Sequence, residues 1–223
     1  PKLDSEECPL PVDTCSQEKS STDNYNKILV VDADSSKLVT CGTIFQGTCE
    51  LRDLENIANA EEFHSSLVKV LAANQPEGST VAFAGPGESS AHVLYVAATL
   101  TGDFNIRFNE IPTISIRKIS AGSDRLSPAY ENALTFTSSE LFYTQLEAAN
   151  VNFVSGFNSE GYNYFLFTLE KEGVRKSYIA QFCQTDLEFK SYVEMPIYCG
   201  DGFTLVQTAA VVPAAQKLAQ QLA

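Results

Sequence analysis

The fold is indicated by residues 151–195, which read VNFVSGFNSEGYNYFLFTLEKEGVRKSYIAQFCQTDLEFKSYVEM. Four short apolar and aromatic runs occur there, at 151–157, 162–169, 177–182 and 192–195. The first two connections, NSEG at 158–161 and EKEG at 170–173, have the length and the glycine that are typical of β-hairpins. The segment therefore predicts a four-stranded antiparallel meander, as found in a β-sandwich, a barrel or one blade of a propeller.

The rest of the chain repeats this pattern more weakly. Strand-like runs occur at 28–32 (ILVVD), 38–42 (LVTCG), 49–54 (CELRDL), 81–84 (VAFA) and 93–99 (VLYVAAT), with small and polar residues between them. Helix is predicted in only two places, at 141–149 and at 213–223, where a proline precedes good helix formers. Residues 16–26 are polar and are predicted to form a loop. The fold class is therefore all-β.

Composition excludes several classes of function. The 223 residues contain 28 acidic and 15 basic side chains, a formal charge of −13, which disfavours binding to nucleic acid phosphates. The acidic residues are dispersed, which is typical of a solvated surface, although an acidic face that steers a basic partner is the alternative. No apolar stretch approaches the roughly 20 residues that a membrane-spanning helix needs.

Six cysteines form two local pairs and one looser pair, namely Cys8 with Cys15, Cys41 with Cys49, and Cys183 with Cys199. Their spacing lacks the tight Cys/His clusters of zinc sites, so no metal is predicted. Because 38–42 and 49–54 would pair as a hairpin, Cys41 and Cys49 would lie close enough for a bridge. Oxidised bridges in a secreted chain are the favoured interpretation, and reduced cytosolic cysteines are the alternative.

No catalytic or cofactor-binding motif is present. Residues 85–90 (GPGESS) lack the Lys-Ser/Thr of a phosphate-binding loop and precede a strand, so a hairpin turn is predicted. The only two histidines, His64 and His92, have no nucleophile motif to support them, and each is interpreted as a surface or partly buried structural residue. The neighbouring acids are interpreted as turn or solvated residues, in the pairs Asp32 with Asp34 and Glu61 with Glu62.

Several strings, taken in order along the whole chain, resemble the sema domain of plexins, the cell-surface receptors for semaphorins. They are DSEEC at 4–8, TDNYNK at 22–27, CGTIFQGTC at 41–49, IPTISIRK at 111–118, YFLFTL at 164–169 and SYVEMPIYC at 191–199. The hepatocyte growth factor receptor family has a similar domain and is the alternative. It tends to carry extra cysteines between the first two strings, where this chain has only Cys15. Semaphorins share the fold but fit these strings less well.

The resemblance implies a seven-bladed β-propeller. Blades of about 40 to 50 residues would need about 280 to 350 residues, so residues 1–223 are expected to form a partial sema domain of about three blades. The resemblance also implies local bridges Cys8–Cys15 and Cys41–Cys49. It implies that Cys183 and Cys199 pair with cysteines in downstream sequence, and a bridge between these two is the second possibility.

The implied function is semaphorin recognition by the extracellular portion of a single-pass receptor in the cell membrane, in cell and axon guidance. Ligand binding would rearrange the receptor ectodomains, and receptor self-association is a further implied contact. Ligand contacts are expected in loops within residues 120–160 and 184–202, and no individual contact residue is assigned. No enzyme activity or cofactor is expected. Two alternative interpretations of the chain are an ectodomain fragment of a receptor tyrosine kinase and a secreted hydrolase with its site around His64 or His92.

Overall fold

The computed structural model describes residues 2–8, 14–60, 70–107, 110–119, 124–198, 200 and 205–212, and its strands form five antiparallel sheets. Two of these sheets have only two strands, and the other three have three or four. Within the described residues, no helix has the length and apolar character needed to cross a membrane. The predicted helix at 213–223 and the residues around His64 lie outside the described part.

The first large sheet contains the three strands predicted between residues 28 and 54, and their prediction is confirmed. Its order is β3-β4-β5. The elements up to this point are β1 (Lys2–Asp4), β2 (Ser20–Thr22), β3 (Asn26–Asp32), β4 (Lys37–Gly42), the helical turn α1 (Ile44–Gly47) and β5 (Cys49–Asp53). The loop prediction for 16–26 is wrong at β2, which pairs with β1. This strand depends on a distant partner, because SST alone carries no strand pattern.

The second sheet has the order β11-β8-β7-β6. Its elements, with those inserted between them, are β6 (Thr80–Pro86), a 3₁₀ turn (Glu88–Ser90), β7 (His92–Ala98), α2 (Phe104–Arg107), β8 (Ile114–Lys118), β9 (Glu131–Asn132), β10 (Thr137–Ser138) and β11 (Glu140–Leu141). β6 and β7 form the predicted hairpin, so the turn interpretation of the glycine-rich segment is confirmed. β9 and β10 form a separate small hairpin that leaves the sheet between β8 and β11.

The third sheet is the meander predicted at 151–195, and all four of its strands are confirmed. Its elements are α3 (Gln145–Asn150), β12 (Asn152–Ser159), β13 (Tyr162–Lys171), β14 (Val174–Cys183) and β15 (Val193–Ile197), and the strands follow in order. The two central residues of each tight turn have positive φ, at Glu160–Gly161 and Glu172–Gly173. That is the turn geometry which matches the twist of a hairpin. The helix predicted at 141–149 begins only at Gln145, the first residue of α3. Leu141 instead belongs to β11, where it pairs with Ile114 of β8.

The three large sheets stack through β7, which is buried on both of its faces. Val93, Tyr95 and Ala97 pack against the third sheet. Leu94 and Val96, which alternate with them, pack against the first sheet. Because successive side chains of a strand point to opposite faces, an uninterrupted apolar run suits this central position. The strands β3, β6 and β12, the first of each large sheet, also pack side by side.

Aromatic rings fill the space between the second and third sheets. The rings of Phe83 and Phe165 lie with centroids 5.4 Å apart, and those of Tyr95 and Phe182 lie 6.0 Å apart. Burial raises the pKa of Tyr95 to about 12, and its hydroxyl donates to the carbonyl of Pro86 at 2.7 Å. Each such aromatic pair contributes about 0.5 to 1.5 kcal/mol beyond the burial of its area. The rings therefore fix how the two sheets pack.

The close packing requires a glycine at position 156 in β12. A Cβ atom there would lie 2.8 Å from Cε1 of Phe83 and 3.0 Å from Cδ1 of Phe165. We predict that Gly156→Ala lowers the free energy of unfolding by about 1 to 3 kcal/mol, the usual cost of overpacking a core. Urea unfolding followed by circular dichroism of the purified protein measures this change.

The matched control is Gly200→Ala, since a Cβ atom at Gly200 meets nothing within 4 Å. That variant should unfold within about 0.5 kcal/mol of the parent protein. Equal free energies of unfolding for the two variants would contradict the packing argument.

Candidate functional site

The two ranges expected to carry ligand contacts meet on one surface. The Tyr143 hydroxyl donates to Oε1 of Glu194 at 2.5 Å, and the Tyr192 hydroxyl donates to the same oxygen at 2.8 Å. Burial and the nearby Glu194 carboxylate raise the pKa values of both tyrosines, so both remain protonated donors. These hydrogen bonds join the segment before α3 to β15, and they bring residues 120–160 against residues 184–202.

A second link between the ranges lies beside the β9–β10 hairpin. The hydrogen bond from Lys190, at 2.6 Å, holds the pKa of Glu188 below its usual range, and Thr137 of β10 contributes a further hydrogen bond. We call residues 130–138 together with residues 186–191 the hairpin surface. Both parts of the hairpin surface lie within the two ranges in which ligand contacts are expected, 120–160 and 184–202.

The tip of the hairpin exposes two large apolar side chains. Leu134 is 92% exposed and Phe136 is 95% exposed. The Asn132 side-chain oxygen accepts from the backbone N–H groups of Leu134, at 3.0 Å, and Thr135, at 3.4 Å, which shapes the turn. Phe136 has a φ of +53°, an uncommon conformation for a residue with a bulky side chain. The tip is thus an apolar projection whose turn is held by side-chain hydrogen bonds.

The other side of the hairpin surface is polar and internally bonded. The Asp186 carboxylate accepts from the backbone N–H of Ser191 at 2.5 Å, from its hydroxyl at 2.6 Å, and from the backbone N–H of Glu188 at 3.1 Å. Burial opposes ionisation of Asp186, but these hydrogen bonds outweigh it and lower its pKa. The loop is therefore closed around a charged carboxylate, and it offers a polar rim next to the apolar tip.

A buried ion pair lies below this region. Nη2 of Arg117 in β8 is 2.5 Å from Oε1 of Glu140 in β11, and Nε of Arg117 donates to the Ser115 hydroxyl at 3.1 Å. Burial lowers the pKa of Arg117, and Glu140 opposes that shift. Because removing one partner of a buried pair leaves an uncompensated charge, this pair is a fixed support for β11 and not an accessible ligand site.

The loop enclosed by the second disulfide has an unusual backbone. Phe45, Gln46 and Gly47 all have positive φ, with values of 52°, 64° and 89°. The Gln46 side chain donates to the carbonyls of Glu6 at 2.9 Å and Cys8 at 3.0 Å, which ties the N-terminal segment to the loop. These side-chain contacts compensate for the strained backbone, which would otherwise cost of order 1 to 3 kcal/mol at each non-glycine residue.

The fully buried guanidinium of Arg107 holds the same loop from the other side. It donates to the backbone carbonyl of Gln46 and to that of Ala72, the latter at 3.0 Å. Burial lowers the pKa of Arg107 to about 10. These partners are neutral oxygens, so the charge is balanced by dipoles. No local pattern in the sequence indicates this role, because α2 is only four residues long.

The acid pair Asp32 and Asp34 is not uniformly solvated. Asp34 is 77% exposed at its side chain, as predicted, but Asp32 is 1% exposed, so the prediction for Asp32 is wrong. His92, at the start of β7 in the next sheet, covers the Asp32 carboxylate and places Nδ1 3.0 Å from its Oδ1. His92 itself is partly buried, as expected. Glu61, Glu62 and His64 lie outside the described residues.

Within the described part of the chain there are two disulfide bonds, Cys8–Cys15 and Cys41–Cys49. Cys41 and Cys49 face each other directly across the β4–β5 ladder, with Cα atoms 4.0 Å apart. Cys183 is partly buried and has no disulfide partner among the described residues, and Cys199 lies outside them.

Comparison with known proteins gives the relationship of the chain. No protein-family model matches it. The whole chain is 32% identical to plexin A3 of Danio rerio. It also superposes on the full extracellular region of plexin A4 with a TM-score of 0.74 and 28% identity, over 91% of this chain and 24% of that one. Over its whole length the chain is similar to plexins.

The plexin resemblance read from the sequence is thereby confirmed, and so is the all-β fold, with the three large sheets as blades of a partial propeller. Drosophila semaphorin 2a shows the same fold, with a TM-score of 0.56 at 15% identity, over 81% of this chain and 31% of that one. The plexin matches do not favour the growth factor receptor alternative. The chain spans 13% of the length of the plexin A3 relative.

Proposed function

We propose that residues 1–223 are part of a sema domain in the extracellular portion of a plexin-type cell-surface receptor, and that this portion recognises a semaphorin. The observation that carries the proposal is the match to plexins over the whole chain, in sequence and in structure. The two disulfides are consistent with it, because such bonds persist in oxidising extracellular compartments. The role is recognition of a protein ligand, without catalysis or a cofactor.

The hairpin surface is the contact region that we propose for this ligand. It combines an apolar tip, formed by Leu134 and Phe136, with a charged rim that contains Glu188 and Lys190. Protein interfaces have this anatomy, with an apolar centre that carries most of the energy and a polar rim around it.

The first test concerns the apolar tip. We predict that Leu134→Ser with Phe136→Ser weakens semaphorin binding about tenfold or more, because loss of a central apolar contact costs ~2 kcal/mol. Surface plasmon resonance on the receptor extracellular region that contains this chain, against a panel of soluble semaphorins, measures the dissociation constants. If no semaphorin binds the parent protein, the proposed function is wrong.

Two controls make this test specific. Both replaced side chains are almost fully exposed, so the free energy of unfolding should stay within about 0.5 kcal/mol of the parent value. Ile57→Ser, another exposed apolar residue in the first large sheet's loop region, should leave binding unchanged. Parent-like affinity of the Leu134 and Phe136 variant would show that the ligand binds elsewhere.

The second test concerns the charged rim. We predict that Lys190→Glu changes the rate of association with the semaphorin, because the reversal places a third acid beside Glu188 and Asp186 and alters the local potential. This change should shrink as ionic strength rises, since salt screens exposed charges. Lys19→Glu, an exposed reversal far from the hairpin surface in sequence, is the control. Equal association rates for both variants would contradict the placement.

The third test concerns the looser cysteine pair. We propose that Cys183 and Cys199 form disulfides with cysteines downstream of residue 223, which agrees with the lack of a partner for Cys183 among the described residues. Mass spectrometry of unreduced peptides from the longer receptor should show each cysteine linked to a downstream one. A peptide that links Cys183 directly to Cys199 would contradict this pairing.

A further inference from the structure

Three side chains of the types that ligate metal ions, from two different blades, lie close together at one end of β3. They are Asp32 at the end of that strand, Asp34 in the turn that follows, and His92 at the start of β7. One ligand atom from each lies within 4.8 Å of the other two. We propose that these three side chains form a binding site for a divalent transition metal ion of the Zn²⁺ class, which links the first blade to the second.

The distances suit such an ion. Nδ1 of His92 is 3.0 Å from Oδ1 of Asp32 and 3.7 Å from Oδ2 of Asp34. In a tetrahedral zinc site with ligand bonds of about 2.0 to 2.1 Å, neighbouring ligand atoms are separated by about 3.3 Å. The two observed separations lie on either side of that value. The Asp34 side chain is 77% exposed and can rotate toward the other two, which would give three ligands with the fourth position open to water.

The type of ligand selects the metal. One imidazole nitrogen and two carboxylate oxygens match the ligands that Zn²⁺ takes in proteins. Ca²⁺ would need six to eight oxygen ligands, and three side chains with one nitrogen do not provide them. The charge of the three ligands also suits a divalent cation. Two carboxylates and one metal-bound neutral imidazole carry a net charge of −2, which such an ion balances.

The surroundings hold one ligand in place and leave another accessible. The Ser35 hydroxyl donates to Oδ2 of the buried Asp32 carboxylate, which leaves Oδ1 directed at His92. Hydrogen bonds of this kind to a ligating carboxylate orient it for the metal. Asp34 is 77% exposed at its side chain, so an ion can reach the site from solvent without any movement of the blades.

The experiment uses Zn²⁺ itself on the metal-stripped protein at neutral pH. Competition with a chromophoric chelator should show Zn²⁺ binding that weakens at least tenfold in His92→Gln and in Asp34→Asn. Zn²⁺ should also raise the melting temperature of the parent protein and not that of His92→Gln, because the ion would stabilise the junction between the blades. His64→Gln, which removes the other histidine, is the matched control and should bind as the parent does.

Three outcomes would overturn the site. The first is a parent protein that takes up no Zn²⁺. The second is parent-like affinity in both the His92→Gln and Asp34→Asn variants. The third is binding that depends on His64 and not on His92. Folding of the variants is verified by circular dichroism, and Gln at position 92 can still donate a hydrogen bond to Asp32.

Discussion

The rest of the structure depends on the burial of β7 on both faces. Tyr95 packs toward the third sheet and Leu94 toward the first, so a single strand contributes to both apolar cores. Burial of apolar area contributes about 25 cal/mol per Å², so this strand adds to the cohesion on both sides of the second sheet. Any shift of one residue in its register would exchange the two faces and put each side chain in the wrong core. The register of β7 therefore fixes the relative placement of all three blades.

The sequence predicted the parts of the fold whose signals are local. The third sheet was found because its hairpin turns lie in the sequence next to the strands that they join. The strands β1, β2 and β8 to β11 were not predicted. All of them except β8 have only two or three residues and exist through pairing with another strand, whereas the five-residue β8 was missed although its length is ordinary for a strand. The helix was predicted to begin at residue 141, four residues before α3 begins. Leu141 belongs to β11 instead, because it pairs with the distant Ile114.

The candidate site was predictable only as a pair of ranges. The plexin resemblance indicated residues 120–160 and 184–202, but no pattern showed that they touch. Their contact runs through Tyr143 and Glu194, which lie 51 residues apart. The segment ENALTFTSSE at 131–140 contains two large apolar residues, and sequence reasoning alone would place such residues in a core. Their exposure is decided by the two-strand hairpin, which is too small to bury Leu134 or Phe136.

Polar contacts at the blade junctions fix the orientation of one blade relative to the next, which apolar packing alone does not do. Arg107 recognises the carbonyls of Gln46 and Ala72, and a Cβ atom on Gly47 would lie only 2.0 Å from the Ala72 oxygen, so this approach is possible only for glycine. The contact of His92 with Asp32 acts in the same way at another position between the first and second blades. An apolar core alone tolerates small rotations of one blade against the next, whereas two directional contacts at separate points restrict such rotation. For this reason the string CGTIFQGTC, which carried much of the resemblance, has to provide a left-handed turn and a glycine as well as two bridging cysteines.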